Sequence, residues 1–308
     1  MPIHYFRFTL HATVDRPRSR MLEELLARAD ACREVLDWRA DALRILAPEL
    51  SSLPGVAAAA WCAQQGGAAG GTVFMATPVH YVAEMSNVRL PADGVLSLER
   101  PEAEKLAVDF NRVWGGAGIR LVLGSRADLF CVIDQSPAAT TRDPADVLGR
   151  HIGNYLPTGE GAPILRQLMS EIEMWLFEHD VNKSRAAGAA PVVSGLWLWG
   201  GGAALPSLPR IQGWTAGDDP FFAAWAQGAG GSRDGGGGTS GVAVIAAQPG
   251  TAAWRDMELN WLRPSLKALR LGRIERVDLS AGQRCFSVDA SWRWRFWRRR
   301  RPWWESFT

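Results

Sequence analysis

The stretch His179-Asp180-Val181-Asn182-Lys183-Ser184-Arg185 puts an imidazole, an amide and a guanidinium at i, i+3 and i+6. On a helix the first two share a face and the third lies over the next turn. Arginine is a two-pronged charged donor, and histidine and asparagine add directional bonds, so the trio suits a phosphate or a carboxylate. The spacing equally suits a plain helix end, with His179, Lys183 and Arg185 near the negative pole of the dipole and Trp197 and Trp199 packing in a following strand. Elsewhere, Asp218-Asp219-Pro220 reads as a helix N-cap rather than a metal pair. Glu171 and Glu173 are two apart on a helix and face different sides, so they are not a paired acid and base.

The common catalytic motifs are missing. The lysines are Lys105, Lys183 and Lys267, none preceded by glycine, so no Walker A loop forms. Neither G-x-S-x-G nor H-E-x-x-H occurs. Gly236, Gly238 and Gly241 spell G-x-G-x-x-G, but ahead of a strand, whereas a dinucleotide fingerprint follows a strand and opens a helix. The histidines are His4, His11, His80, His151 and His179, and the last 129 residues have none. Cys32, Cys62, Cys131 and Cys285 are too dispersed for a zinc site or a redox dithiol.

Several elements must position these groups. His4 to Leu10 reads as a strand, and Leu22 to Leu46 as a long helix ended by Pro48 and Pro54-Gly55. Thr72 to Met75 is a buried strand leading to Thr77-Pro78-Val79-His80. In the middle, Gly94 to Leu98 reads as a strand, a helix runs from Pro101 to Trp114, and Ile119 to Leu123 and Leu129 to Ile133 form a hairpin. One helix is expected from Ala162 to Ala187, then a strand from Val192 to Trp199 broken by Gly200-Gly201-Gly202. The glycine-rich stretch Gly228 to Gly241 reads as a surface loop or lid. Past it come a strand (Val242 to Ala246), a helix (Ala252 to Leu271) and a meander of Arg273 to Leu279, Arg284 to Asp289 and Ser291 to Trp297. Strand and helix alternate at both ends, which predicts an α/β fold with an inserted α+β lobe.

The chain has 308 residues, 47% apolar and 21% charged, enough for a sizeable core. A formal net charge of +2 argues against a surface that is basic throughout. The start, MPIHYFRFT, does not read as a signal peptide, and no apolar run reaches the roughly 18 residues a bilayer needs, so a cytoplasmic protein is expected.

The string His179-x-Val181-Asn182-x-x-Arg185-x-x-Gly188, with Trp197-Leu198-Trp199-Gly200-x-Gly202, is similar to a segment of the archaeal-type cofactor-independent phosphoglycerate mutases. It resembles more closely the bacterial RpfE-type regulatory proteins, as do Leu156-Pro157-Thr158-Gly159, Leu168 to Met174, Thr77-Pro78-Val79-His80 and Trp294 to Arg299. The resemblance implies an alkaline-phosphatase-like core, residues 1–86 and 180–308, with residues 87–179 as the inserted lobe and connecting helix. It also brings His80 toward the pocket of His179, Asn182 and Arg185, although His80 reads as well as a turn histidine beside proline.

The sequence departs from these patterns: Asp180 stands in place of proline, Thr77 of aspartate, Ser170 of asparagine and Glu173 of glutamine. Metal-dependent members of that superfamily clamp two divalent metals with aspartates and histidines, some from the later chain, where this sequence has no histidine. Leu10-His11-Ala12-Thr13-Val14-Asp15 also lacks the Asp-Gly expected after the first strand. The expectation is a degenerate member without catalytic metals or cofactor, holding a small phosphorylated or carboxylated ligand at His80, His179, Asn182 and Arg185. The alternative is a phosphoglycerate-mutase-like or phosphatase enzyme.

The chain's end offers a third reading. Residues 292–308 hold six arginines and one acid, net +5, and five of the 15 tryptophans. Alternation of Trp292, Trp294 and Phe296 with arginine predicts a half-buried last strand. That leaves Arg298 to Arg301, with Trp303 and Trp304, for a nucleic acid or an anionic membrane.

Overall fold

The computed structural model describes residues 2–8, 18–50, 52–67, 69–135, 138–228, 239–245 and 252–307. The sequence after the first strand (Leu10 to Asp15) and most of the glycine-rich stretch, with two glycines of its G-x-G-x-x-G, lie outside the described residues. The chain forms two compact units, residues 1–53 with 209–308, and residues 54–208. Both combine sheets with flanking helices, in keeping with the expected α/β class.

The first unit is built on a six-stranded sheet. Trp214–Gly217, Gly241–Ile245, Ile3–Phe8 and Arg276–Ala281 run parallel in that spatial order, Arg284–Asp289 adds antiparallel, and Ala31–Glu34 closes the edge. Ile3–Phe8 and Arg276–Ala281 are buried almost end to end, as a parallel sheet covered on both faces requires. Three of the helices around it start on side-chain caps. Ser19 Oγ accepts from Leu22 N–H at 3.3 Å, Asp37 Oδ1 from Ala40 N–H at 3.0 Å, and Asp219 Oδ1 from Phe221 and Phe222 N–H at 3.1 and 3.2 Å. Asp219 is thus the helix cap its sequence suggested, and its other oxygen holds Arg39 at 2.6 Å.

Two expectations fail in this unit. The helix expected across Leu22 to Leu46 is two, Arg20–Ala27 and Trp38–Leu46. Between them Ala31–Glu34 completes the sheet edge, with Asp30 fastened to Ser287 O and Asp289 N–H, so sheet pairing overrides the helical spacing. The expected last strand is instead a 3₁₀ turn, Ala290–Trp294. Asp289 Oδ1 accepts from Ser291 N–H at 2.7 Å and bends the chain off the sheet. Only Trp292 of that alternating set is buried; Trp294, Phe296 and Trp297 are 62%, 71% and 66% exposed.

The second unit is antiparallel, its sheet ordered Ile119–Leu123, Leu129–Ile133, Thr72–Val79, Gly195–Ala203. Helices Val56–Gln64, Arg100–Trp114, Ala162–Phe177 and Asp180–Ala187 flank it, and Val82–Ala83, Val88–Leu90 and Arg150–His151 form a small second sheet. Residues 87 and 179, the expected lobe boundaries, lie within this unit, where Thr72–Val79 pairs on one side with Gly195–Ala203 and on the other with Leu129–Ile133 of the lobe's hairpin. Gly94 to Leu98 forms no strand; Val95 makes one bridge to Val79. Gly200-Gly201-Gly202 continues its strand rather than breaking it. A Cβ on Gly201 would meet the Phe74 ring at 2.3 Å, and one on Gly202 would meet Gly55 Cα at 3.1 Å, so the triplet is there for close packing.

The single helix expected over Ala162 to Ala187 also divides, into Ala162–Phe177 and Asp180–Ala187. His179 stands at the break in extended conformation (φ −71°, ψ 141°), with Nδ1 accepting from Val181 N–H at 3.2 Å. It therefore caps a new helix rather than facing the end of an old one.

Candidate functional site

His80, Asn182 and Arg185 all reach the connection that feeds Gly195–Ala203, whereas His179 caps the helix that carries Asn182 and Arg185. Arg185 Nε donates to Pro191 O at 2.7 Å, His80 Nδ1 to Val192 O at 2.9 Å and Asn182 Nδ2 to Val193 O at 2.9 Å. Three consecutive carbonyls are each held by one of the expected ligand residues. Asn182 also donates to Leu176 O at 2.7 Å and accepts from Val193 N–H at 2.8 Å, so one buried amide ties the end of a helix to the entry of a strand. Arg185 places Nη1 2.9 Å from both oxygens of Glu102, and its side chain is 10% exposed.

The same bonds select the tautomer of each histidine. A carbonyl only accepts, so His80 carries its proton on Nδ1. His179 accepts at Nδ1, which places its proton on Nε2, 3.3 Å from Asp109 Oδ2. Burial pulls the His179 pKa below the usual imidazole value, with Asp109 opposing, and the ring packs 4.5 Å from that of Trp175. This arrangement braces a turn. A ligand at His179, Asn182 or Arg185 would have to displace bonds the protein already makes.

The histidines fit a two-metal clamp poorly. His4 is buried with Nδ1 2.7 Å from Ser265 Oγ and Nε2 3.1 Å from Thr239 O. His179 likewise has both ring nitrogens engaged, and His11 lies outside the described residues. No group of three or more His, Cys, Asp or Glu side chains gathers as for a metal among the described residues. Glu171 and Glu173 do not converge either: Glu171 takes Gln167 Nε2 at 2.9 Å, while Glu173 faces Gly195 and has its pKa raised by burial.

A second place has the opposite character. In the first unit, helix Arg20–Ala27, the helical run Ala252–Arg270 and Trp292 enclose a cleft of about 700 Å³. Its floor is apolar, formed by Leu25, Trp254, Leu266 and Trp292, all buried. Glu258 is held at the floor by Ser19 Oγ and Trp254 Nε1, each at 3.0 Å. Around it stand Arg20, Arg255, Arg263 and Lys267, exposed and without a carboxylate partner among the described residues. The Arg270 guanidinium lies 5.0 Å over the Trp292 ring.

The helical run there takes a π turn at Glu258–Leu262, just before Pro264. Proline has no N–H for the preceding turn, which favours such a local rearrangement. Arg263, Lys267 and Arg270 then follow at i, i+4 and i+7, a cationic stripe on one face. That spacing was the available sequence signal, and sequence reasoning missed it.

No protein-family model matches the chain. Over 114 residues, 37% of this chain, it is 31% identical to a 2,3-bisphosphoglycerate-independent phosphoglycerate mutase of Methanothrix thermoacetophila, and the matched stretch spans 27% of that protein. Among solved structures, the cofactor-independent phosphoglycerate mutase from Thermoplasma acidophilum is 14% identical with a TM-score of 0.36, covering 92% of this chain and 89% of that one. The PH0037 protein from Pyrococcus horikoshii is 11% identical with a TM-score of 0.40, covering 94% and 87%. The chain thus carries a stretch distantly homologous to a cofactor-independent phosphoglycerate mutase.

Proposed function

We propose that the protein is a non-catalytic regulatory protein on a phosphoglycerate-mutase-like scaffold, closer in role to the RpfE-type proteins it resembles than to the mutases, and that it binds a small phosphorylated or carboxylated ligand in the cationic cleft. The observation that carries the ligand class is the ring of Arg20, Arg255, Arg263 and Lys267, unpaired among the described residues, over an apolar floor. Cations without internal partners keep their charge and donors for an incoming anion, and a cleft of about 700 Å³ suits a metabolite. The non-catalytic role is supported by the brace: the side chains of the mutase-like segment are occupied in holding the turn at Pro191–Val193.

The test is a thermal-shift screen of phosphorylated and carboxylated acids, 3-phosphoglycerate first, alongside mutase and phosphatase assays with Mn²⁺ or Mg²⁺. The proposal expects stabilisation by at least one such acid, lost in Arg263→Gln/Lys267→Gln, and no turnover. Turnover at enzyme-like rates would replace the regulatory reading with the enzymatic one. Stabilisation that survives the double substitution would remove the cleft from the proposal.

A further inference from the structure

We infer that the segment from Arg293 to Arg301 is a docking surface for an anionic lipid membrane, an inference independent of the ligand in the cleft. The segment is fastened at both ends. At its start Trp292 is buried, Arg295 is paired with Asp30 and donates to Arg28 O at 3.0 Å, and Arg298 Nη1 donates to Ala29 O at 2.7 Å. Beyond it Trp303 and Phe307 are buried, and Arg284 Nη1 donates to Ser306 O at 3.0 Å. Between these anchors the chain presents Trp294, Phe296 and Trp297, 62%, 71% and 66% exposed. Scattered exposed apolar residues are ordinary; three large aromatics within four positions on a fastened loop are not.

The charge around them selects the occupant. Arg293, Arg299, Arg300 and Arg301 are exposed and have no acidic partner among the described residues. Aromatic side chains that enter the headgroup boundary beside arginines that meet lipid phosphates are the two components of peripheral binding to an anionic bilayer. No helix among the described residues is long and apolar enough to cross a membrane, so the contact proposed lies at the surface.

A single-stranded nucleic acid would use the same charges but needs open ring faces for its bases. Here the Arg293 guanidinium sits 5.1 Å over the Trp294 ring, and Phe296 and Trp297 pack edge to face at 79°. That geometry offers apolar bulk rather than a stacking platform, which favours lipid.

The experiment is flotation of the full chain with phosphatidylcholine vesicles, with and without phosphatidylglycerol, at low and high salt. Vesicles with brominated acyl chains report tryptophan insertion by quenching. Binding is expected only with phosphatidylglycerol, weakened by salt and accompanied by quenching. Arg299→Gln/Arg300→Gln/Arg301→Gln should lower partitioning about fivefold per arginine, roughly a hundredfold in all. Trp294→Ala/Phe296→Ala/Trp297→Ala should lower it at least about tenfold and abolish quenching. All six side chains are exposed, so both variants should melt like the parent. The inference is overturned by no binding, by equal binding to both vesicle types, by variants that bind like the parent, or by capture of single-stranded oligonucleotide through these residues with no vesicle binding.

Discussion

The brace at residues 176–194 and the cleft between Arg20–Ala27 and Ala252–Arg270 are both rich in groups that bind anions, yet they use them in opposite ways. At the brace, Arg185, His80 and Asn182 hold the carbonyls of Pro191, Val192 and Val193, and Arg185 is also neutralised by Glu102. At the cleft, Arg20, Arg255, Arg263 and Lys267 hold nothing among the described residues. The contrast separates donors that hold the fold from donors that are exposed and unpaired among the described residues. Residue type and spacing look alike in the two cases, and only the partners tell them apart.

The comparison breaks most visibly at Asn182. Asn182→Leu leaves Val193 O and Val193 N–H unpaired in a buried connection and removes one of the bonds to Leu176 O, which should cost about 2 to 5 kcal/mol given roughly 1 to 3 kcal/mol per orphaned buried group. Urea unfolding measures it, and a loss below about 1 kcal/mol would show that the amide is not the central tie. Next is the largely buried pair. Arg185→Ala or Glu102→Ala should each cost about 2 to 3 kcal/mol, and the double substitution less than their sum, because removing one partner strands the other.

At the cleft the order of effects reverses. Arg263→Gln and Lys267→Gln should change stability by less than about 0.5 kcal/mol, since both are exposed and unpaired. Each should weaken binding of a phosphorylated acid by roughly tenfold, in line with about 1.5 to 3 kcal/mol for a hydrogen bond to a charged group. Isothermal titration against 3-phosphoglycerate, with a melt of each variant, checks both halves.

The smallest effect is on pH dependence. Burial lowers the folded-state pKa of His179 below the usual 6.5, against the pull of Asp109 and Asp180 and with Lys105 assisting. The unfolded chain therefore binds the proton more readily. The stability His179 contributes is complete above about pH 6.5 and is lost as pH falls from there through the lower folded-state value. His4 is lowered by burial too and works in the same direction. Replacing His179 with asparagine, which also caps helices, should flatten part of that slope in melts taken across the range. An unchanged slope would assign it to His4 and other groups.

Much of the architecture was legible in the sequence because local chemistry and tertiary pairing agree there. The hairpin Ile119–Leu123 with Leu129–Ile133, the proline-started helix ending at Trp114 and the Asp219 cap all follow from short-range pattern. Three of the failures share one cause: a periodicity read as a single element while a capping side chain turned the chain. Asp37 starts a second helix after an edge strand, His179 starts one where continuity was expected, and Asp289 opens a 3₁₀ turn instead of a strand. His80, Asn182 and Arg185 reach one connection, but the long-range partners that occupy them, Glu102 for Arg185 and Val193 for Asn182, leave no mark in local sequence.

The division between structural and available donors is tested most directly by titrating 3-phosphoglycerate into three folded proteins: the parent, Arg263→Gln/Lys267→Gln, and Arg185→Lys. The parent and Arg185→Lys should bind with similar affinity even though Arg185→Lys melts at lower temperature, and the cleft variant should lose binding while melting like the parent. Binding that is lost in Arg185→Lys and kept in the cleft variant would contradict the account and return the ligand to His179, Asn182 and Arg185.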